Sequence, residues 1–216
     1  YGPGVSERLI GETLAPYEDV VVATKGGLLR NRDGEWLRRG DPDHLRNAVL
    51  CSLDRLRTDT IDLYQYHRVD PDVDIEASVT ALAELKDDGV IDHLGLSNVD
   101  IEELETAREH AEIVTVQNKY NVAHREDDAV LDVCEEYGIG FIPWYPLAAG
   151  ELGGVEGLSE IADAHGTPIQ SIALAWLLER SPVMLPIPGT SSVEHLESNV
   201  AAADIELTDE EFQRLL

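Results

Sequence analysis

Two hydrophobic periods alternate along this chain. Six short apolar runs, rich in β-branched and aromatic residues, have the length and composition of buried strands. They are DVVVATK (19–25), IDLYQYH (61–67), IDHLGLSN (91–98), IVTVQNKY (113–120), IGFIPWY (139–145) and VMLPIPG (183–189). Between them, apolar residues recur three and four positions apart, the mark of helices with one buried face. DPDHLRNAVLCSLDRL opens on Asp41 as N-cap and Pro42 at the first helical position, where a missing N–H is harmless. DIEASVTALAELKDDG and DDAVLDVCEEYG both stop at a glycine, and TPIQSIALAWLLERS is apolar enough to be largely buried. Strand alternating with helix predicts parallel strands joined by right-handed crossovers.

Each run is apolar in its body and carries chemistry where it stops. The ends are Lys25, His67, Ser97–Asn98, Gln117–Asn118, Trp144–Tyr145 and Gly189–Thr190. A doubly wound sheet would place one glycine-rich phosphate loop after its first strand, and no G-x-G-x-x-G occurs in that setting. In a (β/α)8 barrel every strand turns its C-terminal end toward one shared site, which is the pattern here. The predicted fold is therefore an α/β (β/α)8 TIM barrel, with residues 1–216 as a single catalytic domain. Such a barrel needs eight strands and six are legible, so the first two strands and the first helix are expected to precede Tyr1.

Composition narrows the partners. With 43 acidic residues against 16 basic ones, the formal charge is −27, which argues against nucleic acid. The acidity is spread evenly and only three lysines occur, which reads as adaptation to high salt. A merely acidic mesophilic protein is the alternative. Cys51 and Cys134 lie in helical surroundings and read as reduced core residues, ahead of a disulfide. No apolar stretch approaches the ~18 residues of a membrane span, so a cytoplasmic protein is expected. The seven histidines show no metal-ligand spacing.

Seven segments, in order, resemble the aldo-keto reductase family: YGPGVSERLIGETL, ATKGG, DLYQYHRVD, GVIDHLGLSN, VQNKYN, PWYPLAAG and IPGTSSVEHLESN. The loop GGLLRNRDGEW and the segment FIPWYPLAAG are closest to a branch with pyridoxal-reductase-like members. The resemblance implies reversible hydride transfer between NAD(P)H and a small-molecule aldehyde or ketone, in a monomer or weak homo-oligomer. It implies Tyr1 as proton donor, assisted by Lys25 and His67. A phenol titrates near ~10, too high for easy proton exchange at neutral pH, and a neighbouring ammonium lowers that value. The family pairs this lysine with an aspartate a few residues before the tyrosine, a position that falls before Tyr1. Taken alone, Lys25 would read as a side chain reaching to solvent from a strand end.

For the nucleotide, the resemblance implies Ser97, Asn98 and Gln117 on the carboxamide and Trp144 under the nicotinamide ring. Tyr145, Pro146, Leu147 and Gly150 fall along the pyrophosphate. Ile187, Gly189, Thr190, Ser191, Ser192, His195 and Asn199 fall at the adenosine end, where a helix start suits a phosphate. Many members carry lysine and arginine where Gly189 and His195 stand here, which weakens the preference for NADP(H) over NAD(H). NADP(H) is still the favoured cofactor. Arg30, Arg32, Arg38 and Arg39 gather four of the thirteen arginines into one loop. That loop suits an anionic substrate group, or equally a local set of salt bridges. A cofactor-binding redox-sensor module and an inactive fragment are the competing readings of function.

Overall fold

The computed structural model describes residues 3–216. They form two compact units, the first extending to Val116 and the second running from Gln117 to Leu216. In the first unit, β1 (Ala23–Gly26), β4 (Ile61–Tyr66), β5 (Ile91–Ser97) and β6 (Ile113–Gln117, its last residue the first of the second unit) lie side by side in that order. The β1–β4 and β4–β5 pairings are parallel, with Lys25 opposite Gln65 and Leu63 opposite His93. Helices α1 (Val5–Thr13), α2 (Pro42–Leu56), α3 (Ile75–Asp87) and α4 (Ile101–His110) belong to the same unit. Leu45, Val49, Leu56, Ile61, Leu82, Leu94 and Leu104 form its core.

The local signals account for the helix ends. The Asp41 side chain accepts the His44 N–H of α2 at 2.8 Å, with Pro42 at the first position. At α4, Asp100 and Glu103 cap each other reciprocally.

Two expectations for this unit need correction. The run from Asp19 forms a strand only from Ala23, and Val20 and Val21 are 49% and 77% exposed. Among the described residues β1 is an edge strand, so the valines before it have no second ladder to bury them. The segment after Lys25 is not a plain loop. β2 (Leu28–Arg30) and β3 (Trp36–Arg38) make an antiparallel hairpin in which Leu28 faces Arg38 and Arg30 faces Trp36. Its turn is closed by the Asn31 side chain, which accepts the N–H groups of Asp33 and Glu35 at 3.0 and 2.9 Å, while Gly34 takes a φ of 85°.

The second unit contains α5 (Asp128–Tyr137), β7 (Gly140–Phe141), α6 (Leu158–His165), α7 (Ile169–Arg180), α8 (Val193–Ala201) and α9 (Asp209–Arg214). As the sequence indicates, α7 is largely buried, from Ser171 to Leu177. The run 183–189 is reduced to a single parallel bridge between Phe141 and Met184. Pro182, Pro186 and Pro188 supply no ladder N–H, which limits the strand on both sides of that bridge. Cys134 is buried as expected, whereas Cys51 lies on the exposed face of α2 and is no core residue. No helix among the described residues is long and apolar enough to cross a membrane.

Candidate active site

Three consecutive parallel strands of the first unit end in functional groups. Lys25 is the third residue of β1, and His67 directly follows β4. The His67 N–H donates to the Gly26 carbonyl at 2.9 Å, which fixes the two strand ends against each other. Ser97 closes β5 and is buried. Asn98 adopts a left-handed backbone with φ 57°, and its amide donates to the His67 carbonyl at 3.2 Å and to Ser97 Oγ at 2.8 Å. Lys25, His67, Ser97 and Asn98 thus stand at or near the ends of three adjacent parallel strands. Tyr1 lies outside the described residues.

The electrostatics of the pair follow from burial. Burial lowers the pKa of Lys25, because its ammonium has lost part of its hydration. His67 is lowered further, to about 4, first by burial and then by the positive charges of Lys25 and Arg68. Its imidazole is therefore neutral at physiological pH, a donor at one nitrogen and an acceptor at the other.

Glycines allow the close approach of these strand ends. A Cβ on Gly26 would sit 1.9 Å from the hydroxyl of Tyr64, and one on Gly95 would sit 2.2 Å from Thr115 Oγ1. Two supporting groups escaped the sequence reading. Glu7 of α1 accepts the Thr24 hydroxyl at 2.6 Å and pairs with Arg55, so it clamps α1 and α2 to the residue before Lys25. Its signal was the acidic residue in the loop motif, to which no partner could be assigned from sequence. Gln65, buried beneath the site, donates to Thr115 Oγ1 at 3.2 Å.

The second unit carries the remaining predicted positions. Gln117 and Asn118 are buried at the end of β6. The Trp144 N–H donates to the Asn118 carbonyl at 2.9 Å, and the Trp144 carbonyl accepts the Tyr120 N–H at 3.3 Å. Trp144 and Tyr145 meet edge to face at 4.8 Å. Tyr145 takes a φ of 58°, and its carbonyl accepts the Asn121 amide at 2.9 Å. Pro146 is buried and Leu147 half-buried, and the chain then turns through Ala148–Gly150, where Gly150 has a φ of 92°.

Farther along, Ile187, Gly189, Thr190, Ser191 and His195 are exposed, and Ser192 and Asn199 are half-buried. Thr190 Oγ1 accepts the Ser192 N–H at 3.1 Å, and Ser192 caps α8 by accepting the His195 N–H at 3.3 Å. These residues suit a nucleotide by type. They offer a half-exposed indole, hydroxyls at a helix start, and open space around Gly150 and Gly189, where a Cβ would meet nothing within 4 Å.

Over residues 1–216 the chain matches the model of the Aldo/keto reductase family. It is 47% identical over 218 residues to an uncharacterized oxidoreductase of Schizosaccharomyces pombe, covering 100% of this chain and 71% of that protein. It is 42% identical over 217 residues to pyridoxine 4-dehydrogenase of Escherichia coli, covering 97% of this chain and 76% of that protein. An aldo-keto reductase from Klebsiella pneumoniae, solved in complex with NADP and acetate, superimposes with a TM-score of 0.82 at 30% identity. That match covers 98% of this chain and 75% of the other.

Proposed function

The chain belongs to the aldo/keto reductase family, with that family's parallel (β/α)8-type fold, and on that premise we propose that residues 1–216 act as one catalytic domain for reversible reduction of a small aldehyde or ketone by NADP(H). The observation that carries this reading is the meeting of Lys25 and His67 at neighbouring parallel strand ends, close enough for the lysine charge to depress the imidazole. The dinucleotide, when bound, supplies the hydride.

A carbonyl that accepts hydride gathers negative charge on oxygen and needs a proton. In this reading Tyr1 gives that proton, and the Lys25 ammonium makes the phenol acidic enough to do so. His67, neutral, donates an N–H to the carbonyl oxygen and holds it in place. Asn98 fixes the main chain of His67 through the 3.2 Å bond to its carbonyl. Ser97, Asn98 and Gln117 would hold the carboxamide and Trp144 would cover the ring. The backbone of Tyr145, Pro146, Leu147 and Gly150 would follow the pyrophosphate, and Ile187 to Asn199 would take the adenosine phosphate.

Pyridoxal is the first substrate to test, because the 42% identical Escherichia coli relative is named pyridoxine 4-dehydrogenase. The loss of NADPH absorbance with pyridoxal and simpler aldehydes measures the activity. Nucleotide binding without turnover of any carbonyl would instead support a sensor module. Absence of both nucleotide binding and turnover would sink the reading.

Specificity for the nucleotide gives a sharper test. With no cation at Gly189 or His195, the NADPH preference over NADH is expected to stay below about 10²-fold. Gly189→Lys with His195→Arg should raise it by at least about tenfold, through charge-assisted bonds to the 2′-phosphate. Wild-type discrimination of several orders of magnitude would place the phosphate grip elsewhere.

The surface charge of −27 supports a second element of this reading, adaptation to high salt. The screening length falls from about 30 Å at 0.01 M to about 3 Å at 1 M, so self-repulsion fades as salt is added. The melting temperature is expected to rise steadily with KCl. A flat or falling curve would return the acidity to an ordinary acidic protein.

A further inference from the structure

Six of the thirteen arginines of this protein are paired with acid. Arg46, Arg55, Arg57, Arg108, Arg180 and Arg214 each have a carboxylate oxygen within 4 Å, as an excess of acid leads one to expect. Arg8, Arg30, Arg32, Arg38, Arg39, Arg68 and Arg125 make no such pair among the described residues, although the chain carries −27. Four of these seven sit on the β2–β3 hairpin, and a fifth follows His67 directly. The set of local salt bridges that would explain the hairpin arginines is therefore absent among the described residues.

The carboxylates close to them are engaged otherwise. Asp70 accepts the N–H groups of Gly40 at 2.9 Å and Asp72 at 3.2 Å. Glu35 accepts the Asn31 amide at 2.8 Å. Glu103, whose carboxyl feels the charge of Arg38, accepts the Asp100 N–H in the cap of α4. Asp33, at the exposed turn, pairs with no arginine.

The hairpin arginines are held by neutral groups instead. Arg30 lies 4.8 Å over the Trp36 ring and donates to the Gly34 carbonyl. Arg38 donates to the Val69 carbonyl at 3.3 Å, and Arg39 to the Arg38 carbonyl at 2.8 Å. Each of these two guanidinium groups uses one of its five donors in this way and keeps others to offer.

The root of the hairpin is tied to the Lys25–His67 pair. The Arg39 N–H donates to the carbonyl of Gly27, two residues past Lys25. The carbonyl of Val69, which holds Arg38, lies two residues past His67. Gly40, next in the chain, is fixed by Asp70 and by the Ser78 hydroxyl at 2.7 Å. Both arginines are thereby anchored to the two strand ends that carry the catalytic pair.

We infer that this hairpin is an anion-binding arm of the substrate site, in which Arg38 and Arg39 at its root take the phosphate or carboxylate of an anionic carbonyl substrate, with Arg68 next to the Val69 carbonyl that holds Arg38. The inference rests on the proposed reductase activity and narrows its substrate class. Planar guanidinium groups fit both anions bidentately, and a cationic arm also speeds encounter with an anion against a strongly acidic surface.

Two matched pairs of probes test it: glyceraldehyde with glyceraldehyde 3-phosphate, and benzaldehyde with 4-carboxybenzaldehyde. The readout is the ratio of kcat/KM for the anionic member to that for the neutral one. In Arg38→Gln/Arg39→Gln this ratio is expected to fall at least about tenfold from wild type, with the KM for NADPH within about twofold. The pair that shows the fall identifies phosphate or carboxylate as the anion bound. An unchanged ratio for both pairs would overturn the inference while leaving the reductase reading intact. So would a loss confined to NADPH affinity, which would assign these arginines to the nucleotide. Absence of any turnover would remove the reductase reading and this inference with it. If the double variant does not melt like wild type, two measurements on intact protein replace it. Inorganic phosphate should inhibit the wild type competitively against glyceraldehyde 3-phosphate, and Arg38→Gln alone should weaken that inhibition. Non-competitive inhibition, or none, counts against the arm.

Discussion

Tyr1→Phe is expected to lower carbonyl reduction by at least about 10²-fold while nucleotide affinity stays nearly unchanged. The substitution keeps the ring and removes only the proton. Lys25→Met should fall by a similar factor for a different reason. A phenol without a neighbouring cation returns toward its ordinary pKa near ~10 and exchanges its proton poorly at pH 7. Because burial already lowers the pKa of Lys25, its ammonium is only partly hydrated and its field is poorly screened.

The pH dependence separates His67 from these two. Its pKa is lowered to about 4, so it should remain neutral across pH 5–8 and contribute no acidic limb to the rate in that range. Activity that depends on a neutral imidazole should fail only as pH drops through about 4. The sign for stability agrees. An unfolded histidine titrates near ~6.5, so between that value and the folded one the unfolded chain binds more protons. The contribution of His67 to stability is thus complete above the unfolded value and is lost as pH falls toward the folded one. Turnover and nucleotide titration of Tyr1→Phe and Lys25→Met, with an NMR titration of the His67 ring, measure all three. Wild-type turnover in Tyr1→Phe would remove Tyr1 from the mechanism, and a His67 ring that protonates near pH 6.5 would remove the coupling to Lys25.

The parts of this site that were legible in the sequence are those fixed by a single strand. Lys25, His67 and Ser97 each stop an apolar run, and the backbone register that brings them together follows from parallel pairing. Cooperation between distant segments was not legible. Glu7 and Arg55 stand 48 positions apart, and neither periodicity nor charge pairs them, yet together they clamp the residue before Lys25. The hairpin was hidden for another reason. Its strands are three residues each and carry arginines, so the alternation was too short to separate from a polar loop. The over-long first strand came from reading β-branched residues as buried, whereas Val21 has no neighbour to bury it. Pro186 and Pro188 within 183–189 remove ladder N–H groups, which is why that run gives one bridge and no strand.

In the second unit, Trp176→Ala is expected to cost about 3–5 kcal/mol, the range for emptying a large aromatic site in a core. Trp176 is fully buried, stacked on Tyr120 at 6.1 Å and on Phe212 at 6.0 Å, and Tyr120 meets Phe141 edge to face at 5.6 Å. Removing the indole takes the partner from two ring contacts at once. The hydroxyl of Tyr120 donates to Asp128, which also accepts from Arg180, so polar groups at the rim depend on the same ring. The effect should reach the nucleotide side, because the Tyr120 N–H holds the Trp144 carbonyl. Weaker dinucleotide binding is therefore expected together with lower stability. Trp176→Phe should behave differently. It keeps an aromatic face for both neighbours and deletes the indole N–H, which is buried without a hydrogen bond. Leaving such a group unpaired costs about 1–3 kcal/mol, which offsets part of the volume lost, so a net cost below about 1.5 kcal/mol is expected. Urea unfolding of the two variants and wild type measures the difference. A cost below about 1 kcal/mol for Trp176→Ala would mean the stacked rings do not form the core of this unit. Equal costs for both variants would mean that the indole N–H is paired in solution.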